Sequence, residues 1–166
     1  MGNWLGAPLL VLAAILQVTF TPQIRILGGE PDLIFLIVLS WAANARLEQG
    51  VAWAFVGGIT YDLLSAGPTG ASVPGLLAAV FLVDVVRRQV FSIGLISLLL
   101  LVTIGTFINK LFYIAILIIA GFNVRLFDLF GYVVLPTLAY NLVAILPVYW
   151  FVRRMRIRTP DARVAG

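Results

Sequence analysis

The side chains that most often carry catalysis are scarce in this chain. It has no cysteine and no histidine, and only 7 of its 166 residues are acidic. These counts exclude thiolate nucleophiles and imidazole metal ligands supplied by the chain itself. We predict that Asp84 lies on the opposite side of a membrane from Asp62 and Asp128, so these carboxylates do not form an acid–base pair. The sequence therefore predicts a protein that is not an enzyme and has no metal site and no cofactor.

A row of small residues ending in a carboxylate is the most informative pattern. Gly50, Ala54, Gly58 and Asp62 follow one another at intervals of four and share one face of a predicted helix. Small residues allow two helices in a membrane to approach closely. This face therefore either packs against other helices of the same chain or binds the helix of a partner.

The segment after Asp62 has the composition of a tight turn. It contains Ser65, Gly67, Pro68 and Gly70, and glycine and proline are typical turn residues. The Asp62 carboxylate either reaches water at the end of its span or accepts hydrogen bonds from the amides of residues 67–72 and locks the hairpin. The hairpin lock is favoured over proton transfer or ligand binding.

Two further polar sites interrupt the apolar sequence. Glu30, Pro31 and Asp32 open an apolar run, with proline in the predicted first turn and carboxylates at the positive end of the helix dipole, which indicates helix capping. Lys110 lies within an apolar run. Its ammonium group either extends to the lipid headgroups or contacts a partner or substrate.

The composition is that of a membrane protein. Apolar residues make up 62% of the chain and charged residues 11%, whereas a soluble domain has about a quarter charged residues. Apolar runs that do not alternate with polar residues favour helices over barrel strands. We predict an all-α polytopic membrane protein, a single domain with about six transmembrane helices, whose first helix is retained rather than cleaved as a signal. The predicted spans are 4–21, 31–45, 50–64, 72–86, 89–120 and 127–152, followed by a basic cytoplasmic tail, 153–166.

Three of these spans have unusual lengths. Segments 31–45 and 50–64 make only about 22 Å of helix each against an apolar bilayer core of about 30 Å. Two short spans are favoured over a re-entrant hairpin, because the hairpin would bury Arg46 and Glu48 at membrane depth. Segment 89–120 makes about 48 Å of helix, so it must tilt, break or project beyond the outer leaflet near Lys110.

The basic residues predict the orientation. An even number of spans places both termini on one side, which then carries eight basic residues against two on the other, so both termini are predicted to be cytoplasmic. With this topology every tryptophan falls near the cytoplasmic headgroups, where indole rings are common. These tryptophans are Trp4, Trp41, Trp53 and Trp150.

Basic residues are also concentrated at the end of the chain. A juxtamembrane cluster of this kind indicates contact with anionic lipid headgroups rather than with nucleic acid. The predicted headgroup ligands are Arg153, Arg154, Arg156 and Arg158.

Two motifs resemble those of a known family. Pro31-Asp32-Leu33 opens the second span, and Gly58-x-x-x-Asp62-Leu63-Leu64-Ser65-x-Gly67-Pro68-x-Gly70 closes the third. Together with the length and the number of spans, they are similar to the bacterial rod shape-determining protein MreD family. The architecture is similar over nearly the whole chain. Thr69 stands where a larger apolar residue is expected.

The resemblance implies both a function and a fold. It implies a non-enzymatic subunit of the bacterial inner membrane that binds the bitopic protein MreC and acts with other cell-wall elongation proteins in peptidoglycan synthesis and cell shape. It also implies a bundle similar to the S components of energy-coupling-factor vitamin transporters, so a small-molecule uptake subunit is the alternative function. S components dock their membrane partner through Ala-x-x-x-Ala on the first helix, and Ala7, Ala13 and Ala14 do not have that spacing.

Overall fold

The computed structural model describes residues 6–25, 28–89, 93–123 and 130–157. Within these ranges a 3-10 turn, Thr21–Ile24, extends the first helix, and one π-helical turn, Phe130–Val134, leads into the last. The prediction of an all-α polytopic membrane protein is confirmed. The α-helices are α1 (Gly6–Phe20), α2 (Leu33–Asn44), α3 (Leu47–Leu64), α4 (Val73–Gln89), α5 (Leu95–Ile119) and α6 (Leu135–Ile157).

The outer surface of the bundle is apolar. Among the residues that the structure describes, three segments are long and apolar enough to cross a membrane: Ala7–Ile24, Leu95–Ile119 and Gly131–Met155. Their outward side chains include Ile96, which is 76% exposed, and Val143, which is 75% exposed. Large apolar side chains exposed along whole helices fit a lipid environment, because such a surface in water would cause association.

Helix α2 is the central element of the bundle. Ten of its 12 residues are buried, and it contacts α1, α3, α4, α5 and α6. A helix that is apolar on every side is stable only when other elements surround it. Its 12 residues make only about 18 Å of helix, which is shorter than an apolar core of about 30 Å. The bundle therefore has space beyond the N-terminus of α2.

Glycines allow the helices around α2 to approach closely. A Cβ atom on Gly58 would lie 2.8 Å from Cγ2 and 3.1 Å from Cα of Val73, at the start of α4. A Cβ atom on Gly75 would lie 2.4 Å from Oδ1 and 3.0 Å from Cα of Asn109, on α5. These contacts are closer than any larger residue permits, and such packing is a main source of helix association in membranes.

The connections differ from the predicted ones. Most of the loop expected at 46–49 is helical, because α3 begins at Leu47, and residues 87–88 belong to α4, which ends at Gln89. Segment 89–120 is not one helix, since α5 begins at Leu95. The 25 residues of α5 make about 38 Å, so the helix exceeds the apolar core by about 8 Å instead of the 18 Å expected from 32 residues.

The end of α4 is tied to the end of α2 by an arginine. Nη1 of Arg87 donates to the carbonyl oxygen of Ala42 at 3.1 Å and to that of Ala45. A cation at a helix C-terminus satisfies carbonyl groups that have no partner within the helix. Arg88 instead forms an ion pair with Asp84 at 2.9 Å.

Two tryptophans lie inside the bundle. The rings of Trp41 and Trp53 stack with centroids 3.8 Å apart, and both residues are buried. The predicted headgroup level of this pair concerns depth in the membrane and stays a prediction. The structure adds that the two rings pack against each other inside the bundle, because the short link between α2 and α3 brings them together. Trp150 is 60% exposed, with Cζ of Arg154 at 5.1 Å from its ring centre. Trp4 lies outside the described residues.

Helix α6 extends beyond the predicted span. It continues to Ile157, so Arg153 and Arg154 lie in its last turns with exposed side chains. Arg156 is also within the helix. Arg158 and the rest of the predicted tail lie outside the described residues.

Candidate functional site

A cavity of about 470 Å³ lies next to the N-terminus of α2. It brings together residues from the loop before α2, the end of α3, the turn after it, α5 and the start of α6. Its wall contains both polar and apolar side chains. The polar ones include Arg25, Glu30, Asp32, Tyr61, Lys110 and Tyr113, and the apolar ones include Ile34, Leu76, Ile114, Leu117, Phe122 and Val133.

Asp32 is the most connected polar residue of the cavity. It is the N-cap of α2, and its Oδ1 accepts from the Phe35 amide and from Nε2 of Gln17, both at 3.2 Å. Its Oδ2 accepts from Nδ2 of Asn109 at 3.2 Å and from Nζ of Lys110 at 3.1 Å. A carboxylate has about four lone-pair sites. These four donors therefore use the full capacity of Asp32.

The network around Asp32 extends to α6. The Asp32 amide donates to Oδ1 of Asn141 at 2.9 Å, and Nδ2 of Asn141 donates to Oγ1 of Thr106 at 3.1 Å. On the other side, the Ile34 amide donates to Oε1 of Gln17 at 2.9 Å. Four helices therefore meet through polar side chains at the start of α2.

Sequence reasoning predicted the cap but missed the network. The signal was present in polar residues within apolar segments, since an uncharged amide in a span requires a partner. The three residues that carried this signal are Gln17, Asn109 and Asn141.

Lys110 points into the cavity. Its side chain is 20% exposed and pairs with Asp32, whose side chain is 10% exposed. The structure therefore does not show the predicted extension to the headgroups. An ammonium group surrounded by apolar helices is far more stable beside a carboxylate than alone, which explains the inward direction.

A second ion pair lies at the edge of the cavity. Nε of Arg25 contacts Oε2 of Glu30 at 2.8 Å, and the two side chains are 52% and 19% exposed. The hydrogen bond that Arg25 donates to Glu30 and the negative charge of that carboxylate raise the pKa of Arg25 above its ordinary value. The sequence predicts Pro31 in the first turn of α2. The helix instead begins at Leu33 with Asp32 as its N-cap, so Pro31 lies before the cap.

Asp62 is buried and holds the turn that follows α3. Its Oδ2 accepts from the amides of Gly70 at 2.9 Å and Ser72 at 3.0 Å, and its Oδ1 accepts from Oγ of Ser72 at 2.6 Å. Oγ of Ser65 donates to the Asp62 carbonyl oxygen at 3.3 Å. Gly70 has a φ of +92°, a conformation that favours glycine. The predicted turn residues therefore do lie together around this carboxylate.

The turn also contacts the cavity. Ser65, Gly67 and Pro68 line it. A Cβ atom on Gly67 would lie 2.8 Å from the hydroxyl oxygen of Tyr113 on α5. The structure thus brings both acidic motifs of the sequence to one end of the bundle, where residues of each motif line the same cavity as Lys110 and Tyr113.

The face formed by Gly50, Ala54, Gly58 and Asp62 is covered by this chain. All four residues are buried. A Cβ atom on Gly50 would lie 2.9 Å from Cγ1 of Val80 on α4. Of the two predicted alternatives, the structure shows internal packing. A partner helix therefore has to contact another surface.

At this end of the bundle the two buried carboxylates act as hydrogen-bond acceptors. Asp32 and Asp62 are each held by several hydrogen-bond donors. In the described parts of the chain, no group of three or more His, Cys, Asp or Glu side chains has an arrangement that could hold a metal ion. The geometry supports packing and binding rather than proton transfer.

Comparison with known proteins agrees with the motifs of the sequence. A family model described as rod shape-determining protein MreD matches residues 1–156. No curated protein and no solved structure matches the chain. The matched residues include the cavity, both acidic motifs and nearly all of α6.

Proposed function

Because the chain belongs to the MreD family of rod shape-determining proteins, we propose that it is a non-enzymatic scaffold of the bacterial cell-wall elongation complex. In this role it binds a bitopic membrane protein of the MreC type. It thereby supports cell shape and lateral peptidoglycan synthesis together with the other elongation proteins.

The use of the buried carboxylates supports this proposal. Asp32 accepts four hydrogen bonds, two on each oxygen. Asp62 accepts three from the turn after α3. A general acid or base needs a proton position that is open to its substrate. Both carboxylates instead hold the fold, as expected of a protein that positions a partner.

The orientation of the scaffold is part of the proposal. Arg46, Arg87, Arg153 and Arg154 lie at the end of the bundle where α2, α4 and α6 end. Arg25 and Lys110 line the cavity at the other end. The excess of basic residues favours the first end as cytoplasmic, so both termini lie in the cytoplasm and the cavity faces the outer side of the inner membrane.

The partner helix is expected on the lipid-facing surface, because the small-residue face of α3 is already covered. Each outer helix presents exposed apolar side chains to such a partner. Examples are Phe55 on α3, Leu100 on α5 and Val143 on α6, which are 53%, 56% and 75% exposed.

Purification with site-specific crosslinking tests the proposal. The chain has no cysteine, so single cysteines at Phe55, Leu100 and Val143 report on one helix each. A cysteine at Ala54, which is fully buried, is the control. We expect a bitopic protein with a periplasmic domain to co-purify in mild detergent and to crosslink from one of the three helices but not from Ala54. Co-purification of an ATPase module with a bound vitamin-like molecule would overturn the scaffold and support an uptake subunit.

A further inference from the structure

We propose that the cavity beside α2 binds an anionic amphiphile, with its acidic headgroup on Lys110 and its apolar part against Leu117, Phe122 and Val133. The acidic group is a phosphate or a carboxylate. This inference goes beyond the proposed scaffold function and does not require it.

The size and the lining of the cavity suit such a ligand. Its volume of about 470 Å³ falls within the roughly 300–1,000 Å³ of small-molecule sites. Ligand sites of this kind are mostly apolar, with a few polar groups that fix the orientation. Here the charged groups include Lys110 and Arg25, and the apolar side chains come mainly from α5, from Phe122 after it and from the π-helical turn before α6. Leu117 follows Lys110 by two turns on the same face of α5, so the apolar wall lies close to the ammonium group.

The polar groups favour an anion over a cation. The capacity of Asp32 is already used by four donors, so it offers little to a cationic ligand. An ammonium group has three donors, and the partner found for Lys110 among the described residues is Asp32. The carboxylate of Glu30 on the same wall is paired with Nε of Arg25. The remaining N–H groups of Arg25 and the hydroxyls of Tyr61 and Tyr113 add donors. A charged acceptor would form short, charge-assisted hydrogen bonds with these groups.

The apolar wall indicates why the ligand is an amphiphile and not a free anion. An inorganic anion would leave the side chains of Leu117, Phe122 and Val133 in contact with water. An attached apolar group would remove that surface from water, which is favourable in proportion to its area.

The apolar wall also continues onto the outside of the bundle. Phe122 lines the cavity and is 54% exposed, and the nearby Ile118 and Ile119 are 48% and 83% exposed. An amphiphile with its headgroup at Lys110 can therefore extend its apolar part along this surface. This continuity points to a molecule that partitions into the bilayer.

Binding to the purified full-length chain tests the inference. The probes are phosphatidylglycerol, phosphatidylcholine, decyl phosphate and inorganic phosphate, each added to the protein in neutral detergent and measured by native mass spectrometry and by the shift in unfolding temperature. We expect phosphatidylglycerol and decyl phosphate to bind at least tenfold more tightly than phosphatidylcholine or inorganic phosphate. If only phosphatidylglycerol binds, the ligand is a membrane lipid; if decyl phosphate binds more tightly, it is a smaller amphiphile.

Variants locate the site. Asp32→Asn combined with Lys110→Gln removes the ammonium without leaving a buried charge alone, and should weaken binding of decyl phosphate at least tenfold. Asp84→Asn combined with Arg88→Gln, an ion pair at the other end of the bundle, should leave binding unchanged. Equal binding of phosphatidylcholine, equal binding of inorganic phosphate, or equal losses in the two double variants would each overturn the inference.

A second variant keeps the test decisive if the first double variant does not fold. Phe122→Ser changes an exposed residue at the edge of the cavity, so the fold is expected to survive. It should weaken decyl phosphate severalfold. An unchanged affinity for decyl phosphate would contradict the apolar part of the site.

Discussion

Asp32 and Lys110 are 78 positions apart in the chain and form an ion pair, in which Nζ of Lys110 lies 3.1 Å from Oδ2 of Asp32. The pair joins the N-cap of the central helix to α5, in the interior of an apolar bundle. A single buried charge in such a place is strongly destabilising, whereas two opposite charges with further hydrogen bonds are tolerated. Each of the two charges is therefore tolerated because the other lies beside it.

Removing one member of this pair should destabilise the protein more than removing both. Lys110→Gln leaves the Asp32 carboxylate without its cation, and we expect a loss of about 3–5 kcal/mol in the free energy of unfolding. Asp32→Asn in the Lys110→Gln background should restore part of that loss. Unfolding in detergent measures both variants against the unchanged protein.

The control for this cycle is an exposed ion pair. Arg88→Gln breaks a pair in which Arg88 is 74% exposed, and exposed pairs contribute about 0–1 kcal/mol. A loss for Lys110→Gln no larger than for Arg88→Gln would contradict the structural role of the buried pair.

Gly58→Ala should destabilise the protein even when it is purified without a partner. The added methyl group would lie 2.8 Å from Cγ2 and 3.1 Å from Cα of Val73, so α3 and α4 must separate. Overpacking of this kind costs about 1–3 kcal/mol. Gly94→Ala is the matched control, because its Cβ would meet nothing within 4 Å. Loss of partner binding with unchanged stability for Gly58→Ala would argue that this face binds a foreign helix after all.

The shape of the Asp62 side chain should matter more than its charge. In Asp62→Asn the amide oxygen can still accept from the Gly70 and Ser72 amides, and the new NH₂ group can donate to Oγ of Ser72. We expect a loss of about 1 kcal/mol in the free energy of unfolding, since only the charge assistance is removed. Asp62→Ala leaves the buried amide of Ser72 without this acceptor, at about 1–3 kcal/mol, and also the half-buried amide of Gly70. Equal stability of the two variants would exclude the hairpin lock.

The orientation can be tested with single cysteines in this cysteine-free chain. Ala66 lies exposed in the turn after α3, and Gln89 lies exposed at the end of α4. A membrane-impermeant thiol reagent added to spheroplasts should label Ala66→Cys, and should label Gln89→Cys only after the membrane is permeabilised. Labelling of both from the same side would contradict the proposed topology.

The helices were predictable because apolar runs and Gly–Pro interruptions determine them locally. The turn after α3 was predictable for the same reason, since Asp62 and its hydrogen-bond donors lie within ten residues. Both depend on short-range sequence. The family was predictable from the motif that begins at Pro31 and the motif from Gly58 to Gly70, and the match over residues 1–156 confirms it.

The ion pair was not predictable because it joins residues that are far apart in the sequence. The stacking of the indoles was not predictable because it depends on how two neighbouring helices pack. Lys110 has no neighbour in the sequence that identifies Asp32 as its partner. The pairing follows from the shortness of α2, which sets the depth of Asp32, and from the close approach of α4 and α5 at Gly75 and Asn109. The residue type of Trp41 and Trp53 favours the headgroup level but does not indicate which way a ring points, and the packing of α2 on α3 directs both rings inward.

The short central helix also gives the cavity an electrical property. The 12 residues of α2 make about 18 Å of helix in an apolar core of about 30 Å, so a group bound beside Asp32 from the outer side has crossed about 40% of the core. Moving one charge through the whole membrane changes its energy by about 2.3 kcal/mol per 100 mV. With the proposed orientation, an anion at Lys110 is therefore disfavoured by about 0.9 kcal/mol for each 100 mV of inside-negative potential. Occupancy of the cavity should fall when the membrane is energised and rise when the potential collapses.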